Sequence, residues 1–413
     1  MNDTTLIEWS RARPRVTAAS ALARRLVHAR LARLREGRLR LHEGGQVLEF
    51  GAAGAGGAAD ASLTVLDPAM YAEIALGGSV GAGESYMLGH WRSDDLTAVL
   101  RLLLRNRDAL DAVETGLARL SAPLRGLFHR LRANTRSGAR RNIAAHYDLG
   151  NDFFELMLDE TMMYSCALFE RPGMTLSEAS LAKLDAVCRR LDLRAGDRVL
   201  EIGTGWGGFA MHAAARYGCR VTTTTISRQQ FERARERVQA AGLADRVDVL
   251  LEDYRDLGGR YDKLVSIEMI EAIGHRQYES FFARCADRLA PGGRMLLQSI
   301  TIADRHYARA RDEVDFIKRY VFPGCCIPSL SALAQAASDG GSLRVERVDD
   351  IGIHYAATLA AWRDNFFSQL ERVHALGYPD EFIRLWDFYL SYCEAGFAER
   401  ALGDVQMLLV RDR

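Results

Sequence analysis

Seven cysteines and eight prolines are few for a chain of 413 residues. The cysteines (Cys166, Cys188, Cys219, Cys285, Cys325, Cys326 and Cys393) form no C-x-x-C pair, and their odd number leaves one over. That argues against a disulfide framework and a thiolate zinc site, and fits a reducing cytosol. No apolar run approaches the ~20 residues needed to span a bilayer. The N-terminus lacks the apolar core of a secretory signal. Its arginines imitate a transit peptide, but Asp3 and Glu8 argue against one. The expected location is cytoplasmic, peripheral on the inner face of a membrane.

Formal net charge is zero, so any attraction to an anionic partner has to be local. Acid is missing altogether from Arg119 to Arg141, where seven arginines lie. Residues 11–40 carry ten arginines against Glu36 alone. Such runs are most often solvated helix faces; the sharper reading is docking on an anionic surface. Nucleic acid is disfavoured as that surface, because interleaved aromatic and basic motifs are absent.

What is present is the composition of a globular chain, 48% hydrophobic and 26% charged. Three regions separate. Residues 1–118 combine the alternating segments "GRLRLHE", "QVLEFG" and "ASLTVLD" with the helical patterns "PAMYAEIALGG" and "DDLTAVLRLLLRNRDAL". They predict a small α+β domain. Residues 119–141 form a basic linker. Residues 142–413 alternate strand and helix, with strands predicted at 198–202, 220–225, 246–251, 262–267 and 294–300, and two more near 343–348 and 405–410. This alternation predicts a doubly wound parallel sheet. The amphipathic stretches "HYARARDEVDFIKRYVF" and "TLAAWRDNFFSQLERVHAL" predict a helical lid.

The stretch "VLEIGTGWGGFA" from Val199 is a strand running into a glycine turn. Gly203, Gly205 and Gly208 meet the spacing of a dinucleotide fingerprint. A nicotinamide cofactor also needs an acid at the end of the next strand, where this chain has "VTTTTIS". S-adenosylmethionine, which has no pyrophosphate, fits better. Glu201 precedes the turn, Asp253 of "LLEDYRDL" can bind the adenine amino group, and Tyr254 can stack on the ring. Each acid taken singly reads as a solvated strand-end residue; together they point to a methyltransferase.

Further stretches carry a resemblance: "AAHYDLGNDFFELMLDETMMYSCALF", "TTISRQQ", "SIEMIEAIGHRQY", "KRYVFPGCCIPS" and "IHYAATLAAW". From about His146 onward the chain resembles the cyclopropane-fatty-acyl-phospholipid and mycolic acid cyclopropane synthases. The resemblance implies a class I S-adenosylmethionine-dependent methyltransferase fold, Rossmann-like and α/β. It also implies methyl transfer to the cis double bond of an unsaturated phospholipid acyl chain, with a carbocation deprotonated by bound bicarbonate. It extends the cofactor set to Tyr164, Ser165, Thr225, Ile226 and Gln230. It places the bicarbonate site on Cys166, Glu271, Tyr355 and the backbone of Ile300. The family's usual His falls on Gln298, which donates a hydrogen bond but shuttles no proton. Two smaller departures are Thr204 for Cys, and Ala272 for a His after the Glu.

A hydride shift before proton loss would give a methyl- or methylene-branched chain instead, the alternative product. Cys393 matches a cysteine once regarded as the family's nucleophile and reads as structural. Glu268 is placed at the lip of the cofactor site, Trp206 reads as packing, and His146 with Tyr147 as a cap over the cofactor. The expected partners are an unsaturated phospholipid at the membrane surface and a second copy in a homodimer. The competing classes are a small-amine methyltransferase and a non-enzymatic lipid carrier.

Overall fold

A computed structural model describes residues 18–52, 60–111 and 149–412. The basic linker, His146 and Tyr147 lie outside the described residues. The chain opens with α1 (Ala18–Leu31), β1 (Arg38–Glu43), β2 (Gln46–Gly51), β3 (Asp60–Val65), α2 (Ala69–Met87), β4 (Trp91–Arg92), α3 (Leu96–Arg105) and α4 (Arg107–Asp111). These strands form a sheet in the order β2-β1-β3-β4, with β1 and β3 parallel and the other pairs antiparallel. Period-two alternation buries Leu39 and Leu41 of β1 on the face that the helices cover. Asp95 caps α3 by accepting from Ala98 N at 2.8 Å.

The second part runs α5 (Asn151–Phe154), α6 (Leu176–Arg190), β5 (Arg198–Ile202), α7 (Gly208–Tyr217), β6 (Arg220–Thr224), α8 (Arg228–Ala240), β7 (Val247–Leu250) and β8 (Tyr261–Ile267). It continues through α9 (Tyr278–Arg288), β9 (Leu289–Ile302), α10 (Asp304–Asp312), a π-helical turn (Ile317–Val321), α11 (Leu330–Gly340) and β10 (Leu343–Asp350). The last elements are α12 (Ile353–Ser368), α13 (Leu370–Ala375), α14 (Asp380–Ala398) and β11 (Leu402–Arg411). Seven strands form a sheet in the order β10-β11-β9-β8-β5-β6-β7. The predicted strands are all present. The sheet is parallel from β9 to β7, while β11 runs antiparallel to both β9 and β10.

Alternation again divides the core. Val199, Val265, Leu296 and Leu408 face α6, α7 and α8, while Leu200, Leu264, Met295 and Met407 face α9 and α11. A third apolar cluster joins the first sheet to α12 and α14. Asp387 of α14 fastens that join by accepting from Tyr86 Oη at 2.5 Å and Arg363 Nε at 2.6 Å. Gly83 is required there, since a Cβ would stand 2.4 Å from the ring of Phe316. α2 itself breaks at Gly78 (φ 60°, ψ −134°); its first half carries Tyr71, which packs on His28 of α1 and donates to Glu43 of β1, and its second carries Tyr86 to Asp387 of α14.

The amphipathic stretch at 306–322 is not one helix. Lys318 is buried and turns its ammonium onto the carbonyls of Ala310 and Glu313. Those carbonyls sit where α10 ends, so the chain breaks and resumes as the π-helical turn. No helix among the described residues is long and apolar enough to cross a membrane.

Candidate active site

Strand β5 delivers the glycine turn. Gly203 adopts φ 104°, a region closed to side-chain-bearing residues. The amides of Gly203 and Thr204 both donate to Thr224 O at 3.1 Å. Thr204 accepts from Thr223 Oγ1 at 2.8 Å, so the departure from Cys is absorbed by a hydrogen bond beneath the turn. Glu201 is buried, and its Oε2 has no partner among the described residues. Desolvation pushes its carboxyl up to about 8. A buried carboxyl with one oxygen unpartnered, beside an open turn, suits a cationic group.

The rest of the predicted cofactor set gathers on the same cavity. Ser227 caps α8, and Gln230 on its first turn accepts from Thr225 Oγ1 at 2.8 Å. Asp253 is clamped by Arg255, through Nε at 2.8 Å and Nη2 at 2.5 Å. The sequence reading missed Arg255, which holds this carboxylate in place. Tyr254 packs its ring edge-on to Phe281 at 5.5 Å. Tyr164 and Ser165 lie across the cavity. Tyr164 Oη meets Tyr389 Oη at 2.7 Å, and Ser165 accepts from Lys183 Nζ at 2.8 Å. These residues fit S-adenosylmethionine: a buried carboxyl for the sulfonium end, and a hydroxyl, an amide and a carboxylate for the nucleoside.

The reacting wall differs from the sequence expectation in one respect. Three of the groups assigned to bicarbonate turn to a side chain instead. Cys166 N donates to Glu268 Oε1 at 2.8 Å, Gln298 Nε2 donates to the same oxygen at 2.8 Å, and Tyr355 Oη donates to Oε2 at 2.5 Å. Glu268 lines the cavity and holds φ 47°, an unusual angle for a residue with a side chain. Gln298 is fully buried behind it, donating also to Asp404 at 3.0 Å and accepting from Gln406 at 3.0 Å. Burial and the neighbouring Glu268 charge push Asp404 well up. Its Oδ1 has no partner among the described residues.

Glu271 sits in a short 3-10 turn, past the end of β8. Its Oε1 accepts from Ile300 N at 2.6 Å and Ser299 Oγ at 2.9 Å, and its Oε2 has no partner among the described residues. Burial, with Glu268 second, raises it to about 8. The thiol of Cys166 points at the carbonyls of Ala167 and Ile351, so its contribution to this wall is its backbone amide. Cys393 lines the cavity as a neutral thiol, since burial raises it far above the ordinary range. That agrees with a structural role. Trp206 donates to Asn151 Oδ1 at 2.7 Å and packs on Phe154.

Aromatic faces complete the wall. Tyr355 stacks on Phe397 at 4.4 Å, and Tyr164 and Trp362 lie 5.0 Å apart. Beneath them Lys183 is fully buried, its charge disfavoured by desolvation and supported by Glu268. Sequence reasoning missed Lys183 and Asp404. The first had a signal: only Lys183, Lys263 and Lys318 among the 54 basic residues are lysines.

The family model described as mycolic acid cyclopropane synthetase matches residues 134–407. The chain belongs to this family. It is 40% identical over 371 residues to the tuberculostearic acid methyltransferase of Mycobacterium tuberculosis, covering 86% of this chain and 85% of that one. It is 36% identical over 362 residues to the cyclopropane-fatty-acyl-phospholipid synthase of Escherichia coli, with 85% and 87% covered. Among solved structures, a mycolic acid cyclopropane synthase in complex with S-adenosylhomocysteine superposes with a TM-score of 0.61 at 32% identity. That match covers 66% of this chain and 98% of the other. The fold is that of a class I S-adenosylmethionine-dependent methyltransferase, and the protein is such an enzyme.

Proposed function

We propose that the protein methylates the cis double bond of an unsaturated phospholipid acyl chain and closes a cyclopropane ring, with Glu268 as the base. The observation that carries this reading is the convergence of Cys166 N, Gln298 and Tyr355 on the Glu268 carboxylate. S-adenosylmethionine, when bound, supplies an electrophilic methyl group on a cationic sulfur. Glu201, Gln230 and Asp253 hold it at the glycine turn. Attack of the alkene π electrons on that methyl carbon would break its bond to sulfur, release a neutral thioether and leave the neighbouring chain carbon cationic. The faces of Tyr164, Tyr355 and Phe397, which line the cavity, stabilise that charge and keep water out. Glu268 then takes a proton from the new methyl group, and the released C–H electron pair closes the ring. A carboxylate whose pKa burial has raised is a competent base near neutrality.

The lipid is drawn from a membrane surface. On α1, Leu22 and Leu26 are 58% and 41% exposed beside the exposed Arg25. An arginine at an anionic surface contributes about 1 kcal/mol. A second reading is the branched product. A base tethered to the backbone cannot follow the charge, so a hydride shift ahead of proton loss would leave a methylene branch.

The test is incubation with S-adenosylmethionine and liposomes of a monounsaturated anionic phospholipid. A gain of one CH2 with upfield ring protons by NMR supports ring closure, and vinylidene protons assign the branched product. Absence of any mass gain overturns the lipid reading.

A further inference from the structure

The cavity that holds Glu268 and Tyr355 has a volume of about 1100 Å³. Pockets for small ligands usually span about 300–1,000 Å³. It does not end at the reacting wall. It passes the Gly78 break in α2 and continues between the N-terminal sheet and helices α2 and α3. There Leu39, Leu63, Met70, Ile74, Val99 and Leu100 line it. Leu39 and Val99 have no accessible surface and Met70 and Leu100 little, so the open part of the arm is bounded by the half-buried Ile74, Leu103 and Leu104. All of this arm precedes residue 134, where the match to the family model begins. It is thus built from residues additional to the matched region.

We infer that this arm is a binding site for hydrocarbon, taking the methyl-terminal segment of the acyl chain whose double bond lies at Glu268. The inference rests on the acyl-chain reading above and adds a second compartment to it. An apolar space of this kind favours an apolar guest over water. A phospholipid has one wholly apolar end per chain, because the other carries a charged headgroup that would be stranded among leucines. The break at Gly78 serves both compartments. It lets α2 wall the arm with Met70 and Ile74 and then turn to pack Gly83 and Tyr86 against the catalytic layer.

The test uses phospholipids whose double bond stays at one distance from the carboxyl group while the methyl-terminal segment lengthens. Ile74→Trp and Leu103→Trp fill the arm. Each is expected to lower the long-to-short ratio of kcat/KM about tenfold for every two methylene groups excluded, with S-adenosylmethionine binding unchanged. An unchanged ratio in folded variants overturns the arm while leaving lipid methylation standing. Wild-type failure on every chain length instead overturns the acyl-chain reading. Should the variants not fold, a phospholipid with a diazirine at the methyl end of its chain decides on the unmodified protein. Crosslinks within residues 39–104 support the arm, and crosslinks confined to residues 149–412 overturn it.

Discussion

The Tyr355 hydroxyl lies 2.5 Å from Oε2 of Glu268, although α12 and the end of β8 are 87 residues apart in the chain. The phenol is held neutral, because burial and the adjacent carboxylate raise its pKa well above the ordinary value. It therefore donates to Glu268 at every physiological pH. Removing that donor in Tyr355→Phe is expected to lower kcat by about tenfold to a hundredfold, in line with a hydrogen bond to a charged group. Steady-state kinetics check this, and an unchanged kcat would detach Tyr355 from the reacting wall.

Glu268→Gln keeps the shape and removes the base. The expected loss in kcat is about 10²–10⁴-fold, with S-adenosylmethionine affinity by calorimetry within about twofold of wild type. Glu268→Gly relieves the φ of 47° and frees three donors for an external anion. Added bicarbonate is expected to restore part of its activity. Near-normal turnover in Glu268→Gln would remove the base assignment.

Glu201 and Glu271 give the protein a characteristic pH dependence. Both carboxyls titrate at about 8 in the folded chain, raised from about 4.5 by burial. Between those values the native state holds protons that the unfolded chain has lost. Their contribution to stability is full below about 4.5 and falls as pH rises through about 8. The melting temperature of the ligand-free protein is expected to decline from pH 5 to pH 8, and Glu201→Gln to flatten that decline. S-adenosylmethionine affinity should rise over the same interval, as the ionised Glu201 forms. A flat affinity profile would separate Glu201 from the sulfonium.

Asp387→Ala leaves Tyr86 and Arg363 without their shared acceptor at the junction of the two layers. Breaking a buried pair by removing one partner commonly costs about 3–5 kcal/mol. Arg363 retains some solvent access, so the expected loss here is near the lower end. Denaturant unfolding measures it, and a loss below about 1 kcal/mol, the scale of a surface pair, would make the junction incidental.

The sequence made the catalytic sheet legible because its strands are apolar on both faces and its helices carry clear caps. Ser227 ahead of α8 and the Thr175–Glu178 capping box of α6 are local signals. The glycine turn and Glu201 were legible for the same reason. What escaped depends on contacts between distant segments or on local turns that periodicity does not show. Glu268 reads from sequence only as a residue at the lip of the cofactor site until Cys166, Gln298 and Tyr355 arrive from three other segments. Arg255 fastens Asp253 only because the loop after β7 turns back on itself. Lys318 ends a helix that its own periodicity would have prolonged. The break at Gly78 sits in "ALGGSV", where a glycine pair is equally compatible with a continuous helix.

The position of α2 also bears on how such an enzyme can diversify. Its first half walls one compartment with side chains that meet no reacting atom, and its second half is locked to the layer where the chemistry occurs. Substitutions in the first half can lengthen, shorten or bend the space for hydrocarbon without disturbing Glu268 and its donors. Lipid preference and reaction type are then separately heritable traits, and the same catalytic layer can serve membranes of different acyl composition.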